Sequence, residues 1–145
     1  MLVEIRDQAF EPFAEVKGFQ DNIAQQGQYG ATAIFIGTMR DFNEGDEVSE
    51  MLLEHYPGMT EKYLQGISRQ AEQRWPLAES LIIHRVGKVY PNEPIVVVAV
   101  WSAHRGAAYE ANRYLMEELK ARAPFWKKES LQEGDRWVER NTSGH

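Results

Sequence analysis

Ile95-Val96-Val97-Val98-Ala99-Val100-Trp101 runs without a polar interruption into Ser102-Ala103-His104-Arg105-Gly106. The apolar run lacks the two-residue alternation of a half-exposed strand, so it reads as a strand buried on both faces. A helix follows directly. From His104 to Ala123, residues Ala108, Ala111, Leu115 and Leu119 fall on one stripe, and Pro124 stops the chain from continuing as a helix. Phe125 to Leu131 then reads as a final strand, with Phe125, Lys127 and Glu129 on one face and Trp126, Lys128 and Ser130 on the other.

The same reasoning extends outward. Leu2 to Arg6 alternates as a strand does. Pro12 opens a helix predicted to run to Gln26, and Gly27 and Gly30 mark its exit. Tyr29 to Arg40 is rich in β-branched and aromatic residues, and its Gly37 suits a bulge or a close backbone approach. Asp41 to Asp46 reads as a polar loop and Glu47 to Tyr56 as a strand. A helix from Pro57-Gly58-Met59-Thr60 carries Leu64, Ile67, Ala71 and Trp75 on one face and ends before Pro76. Ala78 to Tyr90 forms a long strand or a strand pair, and Tyr90 to Pro94 a turn. Strands alternating with three helices indicate an α/β or α+β sandwich, with helices packed on a mixed sheet. Residues 1–140 form one domain, and the polar residues 141–145 are expected to be a mobile tail.

Composition narrows the function. A chain of 145 residues, 43% hydrophobic and 26% charged, is neither disordered nor fibrous, and it can bury a core without disulfides. It has no cysteine, which removes thiolate metal sites and cysteine nucleophiles and fits a reducing cytoplasm. No leader-like segment opens it, and its longest aliphatic run is far short of the ~20 residues of a membrane span. The net charge of −6 argues against a nucleic-acid binder. The charges are also unevenly spread. Six acids and no Lys or Arg lie between Asp41 and Glu54, whereas six Lys or Arg face three acids between His104 and Lys128. A local cationic excess in an acidic protein suggests a focused anion site.

Four constellations can carry chemistry. At Ser102–Gly106 a strand ends and a helix begins, so free backbone N–H groups stand beside His104, a proton carrier, and Arg105, a forked anion donor. A capping turn with a solvated arginine is the plainer alternative. Met116 and Lys120 are four apart, at the edge of the buried stripe; an amine there is partly desolvated and suited to proton transfer, although a snorkelling surface lysine is commoner. Lys127 lies a short span past Pro124, so Lys120 and Lys127 can converge. Gly37-Thr38-Met39-Arg40 ends a strand, where Arg40 reaches either a ligand or Asp41 or Glu44. His55 and His84 sit in strands without ligand spacing and read as core or edge histidines. No phosphate-binding loop, dinucleotide fingerprint or metal motif is present in the sequence, and neither a cofactor nor a metal is expected.

Together the segments Phe35–Arg40, Leu53–Met59, Arg74–Leu77, Ser102–Arg105 and Lys120–Glu129 resemble the large-subunit family of molybdopterin synthase. The resemblance runs from Tyr29 to Glu139. It implies an α/β hammerhead fold with an additional antiparallel sheet, and a homodimer that becomes a heterotetramer with a small ubiquitin-like sulfur carrier. That carrier's C-terminal Gly-Gly would end in a thiocarboxylate, donating sulfur to cyclic pyranopterin monophosphate to make the dithiolene of molybdopterin. The family's functional positions fall on Arg40, His104, Arg105, Lys120 and Lys127, with Phe35, Thr38, Met39, Met116, Lys128 and Glu129 around the substrate. On this reading Lys120 and Lys127 carry the catalysis, and Arg40, His104 and Arg105 hold phosphate and pterin. A non-catalytic module docking a Gly-Gly tail and a different phosphometabolite enzyme are the rival readings.

Overall fold

The computed structural model describes residues 1–43, 45–131 and 134–138; the expected tail at 141–145 lies outside them. The valine-rich run becomes β7 (Pro94–Ser102), buried from Ile95 to its end. It is central in a four-stranded sheet of order β1-β5-β7-β2, formed with β1 (Leu2–Arg6), β2 (Ala31–Thr38) and β5 (Leu77–Arg85). β1 pairs in parallel with β5, and the remaining pairs are antiparallel. Val96, Val98 and Val100 join one apolar cluster and Val97, Ala99 and Trp101 another, which is why this strand carries no polar face. Each fully buried aliphatic side chain contributes about 1.5–3 kcal/mol.

One face carries α2 (Met59–Arg74) and α3 (Arg105–Arg122), whose stripes of Leu64, Ile67, Ala71 and of Ala111, Leu115, Met116, Leu119 share a cluster with β7. The other face carries α1 (Pro12–Asp21) through Val16. Asn112 sets where α3 sits along the sheet. Its buried amide donates to the carbonyls of Ala33 (3.0 Å) and Val98 (2.9 Å), so α3 cannot slide without leaving two donors unpaired.

A second sheet orders β3 (Phe42–Asn43), β4 (Asp46–His55), β8 (Phe125–Leu131) and β9 (Gly134–Trp137), with β6 (Gly87–Val89) also on β4. Three sequence expectations are corrected here and one alternative is decided. The first helix stops at Asp21, not Gln26, because the Asn22 side chain bonds the Gly18 carbonyl and the Gln26 amide bonds those of Gln20 and Ile23, drawing the chain into turns. The Asp41–Asp46 loop contains a short strand, β3, paired back onto β4. Of the two forms expected for Ala78–Tyr90, the strand pair is found, divided between the two sheets and broken at Gly87, which takes φ +86, a value costly for any side chain. Finally, β8 is not the last strand, since β9 pairs with it from Lys128 to Leu131. Among the described residues no helix is long and apolar enough to cross a membrane.

Candidate active site

A cavity of about 380 Å³ opens where three elements meet. The end of β2 supplies Phe35 to Thr38 and the chain beyond it Met39 and Arg40. The last turn of α3 supplies Lys120, and β8 supplies Lys127 and Glu129. Ile95 and Val96 of β7, Met51 of β4 and Val138 complete the wall. β2 bulges between Gly37 and Thr38, which turns the following residues along the cavity rim. Glycine suits the bulge, because a Cβ on Gly37 would lie 2.9 Å from Val96 Cγ1 and force that side chain to shift.

The lysines come together for a local reason. α3 ends at Arg122, Pro124 prevents its continuation, and β8 starts at Phe125 in the adjoining sheet. Lys127 points inward with Phe125 and Glu129, as strand alternation requires. Lys120 is held down to about 7, chiefly because burial disfavours its charge and next because the Lys127 amine lies against it. An amine near neutrality, beside a second amine, is equipped to exchange a proton and to attract an anion.

Behind both lysines lies His84, 2% exposed and stacked on Phe125 with ring centroids 3.8 Å apart. Burial holds this imidazole neutral, down to about 3, and the two lysine charges push the same way against the opposing effect of a bond to the Arg85 carbonyl. It is a core residue, as its setting in a strand suggested. Glu129, 5% exposed, takes Arg136 Nε at 3.3 Å.

Of the residues singled out in the sequence, Phe35, Thr38, Met39, Arg40, Lys120, Lys127 and Glu129 line the cavity. Three groups do not. Met116 is buried one turn before Lys120, in the core beneath it. Lys128 lies on the opposite face of β8, its amine 5.8 Å from the centre of the Trp137 ring. His104 and Arg105 stand exposed at the start of α3, and at 1.5 Å per residue the run from Arg105 to Lys120 is about 22 Å long. Within one chain they cannot share a ligand of modest size with the lysines. Met51 and Val138 were not foreseen. Val138 depends on the unexpected β9, after which its N–H donates to the Lys127 carbonyl at 2.9 Å.

The model of the MoaE protein family matches residues 8–122, reaching further toward the N-terminus than the motifs alone indicated. A molybdopterin synthase catalytic subunit of Pseudomonas aeruginosa is 51% identical over 139 residues, covering 96% of this chain and 91% of the relative. Two solved structures are similar throughout. One is a molybdopterin biosynthesis MoaE protein of Burkholderia ambifaria (TM-score 0.80, 43% identity, 99% of this chain and 92% of that one). The other is a molybdopterin synthase of Staphylococcus aureus (TM-score 0.84, 30% identity, 94% and 96%).

Proposed function

The chain belongs to the MoaE family, and from that premise we propose that it is the catalytic subunit of a molybdopterin synthase, working in the cytoplasm. Its reaction would take sulfur from the C-terminal thiocarboxylate of a small ubiquitin-like carrier and place it on cyclic pyranopterin monophosphate. The observation that carries this reading is the paired amines of Lys120 and Lys127 in one cavity with Arg40. Phosphate and thiocarboxylate are both anions, so bringing them together meets Coulomb repulsion that fixed cations offset. A chain without cysteine suits a donor that arrives from outside.

The roles follow from position. Arg40, on the rim, is assigned to the phosphate; its planar fork makes paired bonds to phosphate oxygens. Lys127 orients the thiocarboxylate. Lys120, held down to about 7, moves protons as the C–S bond forms while a C–O bond at the same pterin side-chain carbon breaks, its oxygen leaving protonated, and as water cleaves the acyl–sulfur bond. The carrier leaves as a carboxylate, and the sulfur stays on the pterin.

His104 and Arg105 enter through a second copy. β2 is an edge strand of eight residues, ATAIFIGT, without charge or proline, and Ile34 and Phe35 on it are exposed. Two such edges paired antiparallel, Ala31 opposite Thr38, make a continuous sheet about a two-fold axis. β2 is about 23 Å long at 3.3 Å per residue, close to the Arg105–Lys120 span. The reversal therefore brings His104 and Arg105 of one copy to the cavity rim of the other. A homodimer with one carrier on each cavity is the resulting heterotetramer.

The test is reconstitution with thiocarboxylated carrier and pterin phosphate, read as dithiolene product. Lys120→Ala is expected to abolish product while carrier affinity stays within about threefold. Normal turnover by that variant would remove Lys120 from the mechanism. Absence of product from the wild-type complex would favour a module that only docks the Gly-Gly tail.

A further inference from the structure

We propose that buried Arg85 and half-buried Glu93 form a brace behind the cavity that fixes the Thr38–Arg40 rim, and so positions Arg40 for an anionic substrate; the proposal rests on the synthase reading of that cavity. Arg85 ends β5 and is 6% exposed. Its Nη2 donates to the Lys88 carbonyl at 2.6 Å, and its Nη1 lies 3.8 Å from Glu93 Oε1. Among the described residues Glu93 is the carboxylate that pairs with it. Buried Nη1 and Nε of Arg85 make no hydrogen bond, so the Glu93 charge at 3.8 Å is what offsets the burial of this guanidinium, and it ties the β6–β7 turn to the end of β5.

The turn passes the constraint on. Glu93 Oε1 accepts from the Tyr90 N–H at 2.7 Å, and the Glu93 N–H donates to the Tyr90 carbonyl at 3.0 Å, closing Tyr90–Glu93 twice. Within it Asn92 holds φ +73, the left-handed conformation that asparagine tolerates better than most residues. The Met39 N–H donates to the Glu93 carbonyl and the Asn92 N–H to the Met39 carbonyl, both at 2.9 Å. These bonds grip Met39 just past the bulge at Gly37/Thr38, where the regular β2–β7 ladder has ended. Thr38 and Arg40 flank the gripped residue, and all three line the cavity.

Arg85 and Glu93 touch no reacting group, so they are positioning residues. Lys120 and Lys127 sit on α3 and β8, outside the chain of contacts from Arg85 to Met39. Loosening the brace should therefore weaken the hold on substrate more than proton transfer.

The experiment uses the reconstituted complex with Arg85→Leu, Glu93→Ala and Arg85→Lys, together with methyl-¹³C methionine spectra of the large subunit, which has five methionines. Arg85→Leu and Glu93→Ala are expected to raise KM for the pterin phosphate about tenfold with kcat within about threefold, and Arg85→Lys to recover most of the KM. The Met39 methyl resonance should shift in the first two variants while that of Met116, beside Lys120 on α3, stays in place. Folded variants with an unmoved Met39 resonance and unchanged KM would overturn the brace, as would loss of kcat at constant KM. Should Arg85→Leu not fold, Glu93→Ala on the half-buried turn supplies the same two readouts. A wild-type complex that makes no product defeats the synthase reading, and the Met39 resonance then tests the brace alone.

Discussion

Replacing Lys120 with methionine isolates what it costs to keep an amine in the cavity. Lys120 falls from 10.5 to about 7, with burial the largest cause and Lys127 the next. At 1.36 kcal/mol per pH unit, a drop of about 3.5 corresponds to roughly 5 kcal/mol as an upper figure. The sign follows from proton counts. Between pH 7 and 10.5 the unfolded chain carries a proton on this amine that the folded chain has lost, so stability rises with pH across that window. The penalty is complete below pH 7 and gone above 10.5.

Methionine has similar length and no charge, so Lys120→Met should be the more stable protein at pH 6. Its advantage should reach several kcal/mol and then shrink with rising pH, by at most about 1.4 kcal/mol per unit between 7 and 10.5. Urea unfolding of both proteins at pH 6, 7.5 and 9 measures this difference, and groups remote from residue 120 cancel. Protein concentration must be held equal, because association adds to apparent stability. A difference that does not change with pH, or a wild type more stable at pH 6, would refute the argument that desolvation depresses Lys120. Such a gain in stability alongside lost turnover is what a functional group held in an unfavourable setting produces.

Mixing inactive variants tests the shared site. In randomly paired dimers of Lys120→Ala with Arg105→Ala, half the molecules are mixed and each has one intact cavity, so about a quarter of wild-type activity should return; no recovery would place both groups in one chain's site. His84 falls from 6.5 to about 3, mainly through burial, so its contribution is present above pH 6.5 and lost as pH falls toward 3. His84→Phe should therefore flatten the acid limb of unfolding between those values, measured against wild type by circular dichroism. Asn112→Ala leaves two buried carbonyls without their donor and should lower stability by about 1–3 kcal/mol, with turnover reduced as α3 loses its register; denaturant midpoints and kcat together check this. Gly37→Ala, with its Cβ 2.9 Å from Val96, should cost about 1–3 kcal/mol and raise KM.

What could be read in the sequence was whatever depends on neighbours along the chain. The valine run announces a strand buried on both faces, and strand alternation separates Lys127 and Glu129, which face the cavity, from Lys128, which does not. Even the convergence of the two lysines is local, because Pro124 leaves a short span between a helix end and a strand start. Contacts that depend on distance across the fold left no such mark. Arg85 and Glu93 read as ordinary charges until β6 leaves for the other sheet and folds the turn back over β5. The separation of Arg105 from Lys120, by contrast, follows from the helix length already legible in the sequence, about 22 Å at 1.5 Å per residue. That same length is what makes a two-fold arrangement effective. A helix as long as the edge strand beside it, reversed in the second copy, brings its first residues to the place where the other helix ends. In the dimer proposed above, the cations separated within one chain would meet around an anion that neither chain encloses alone.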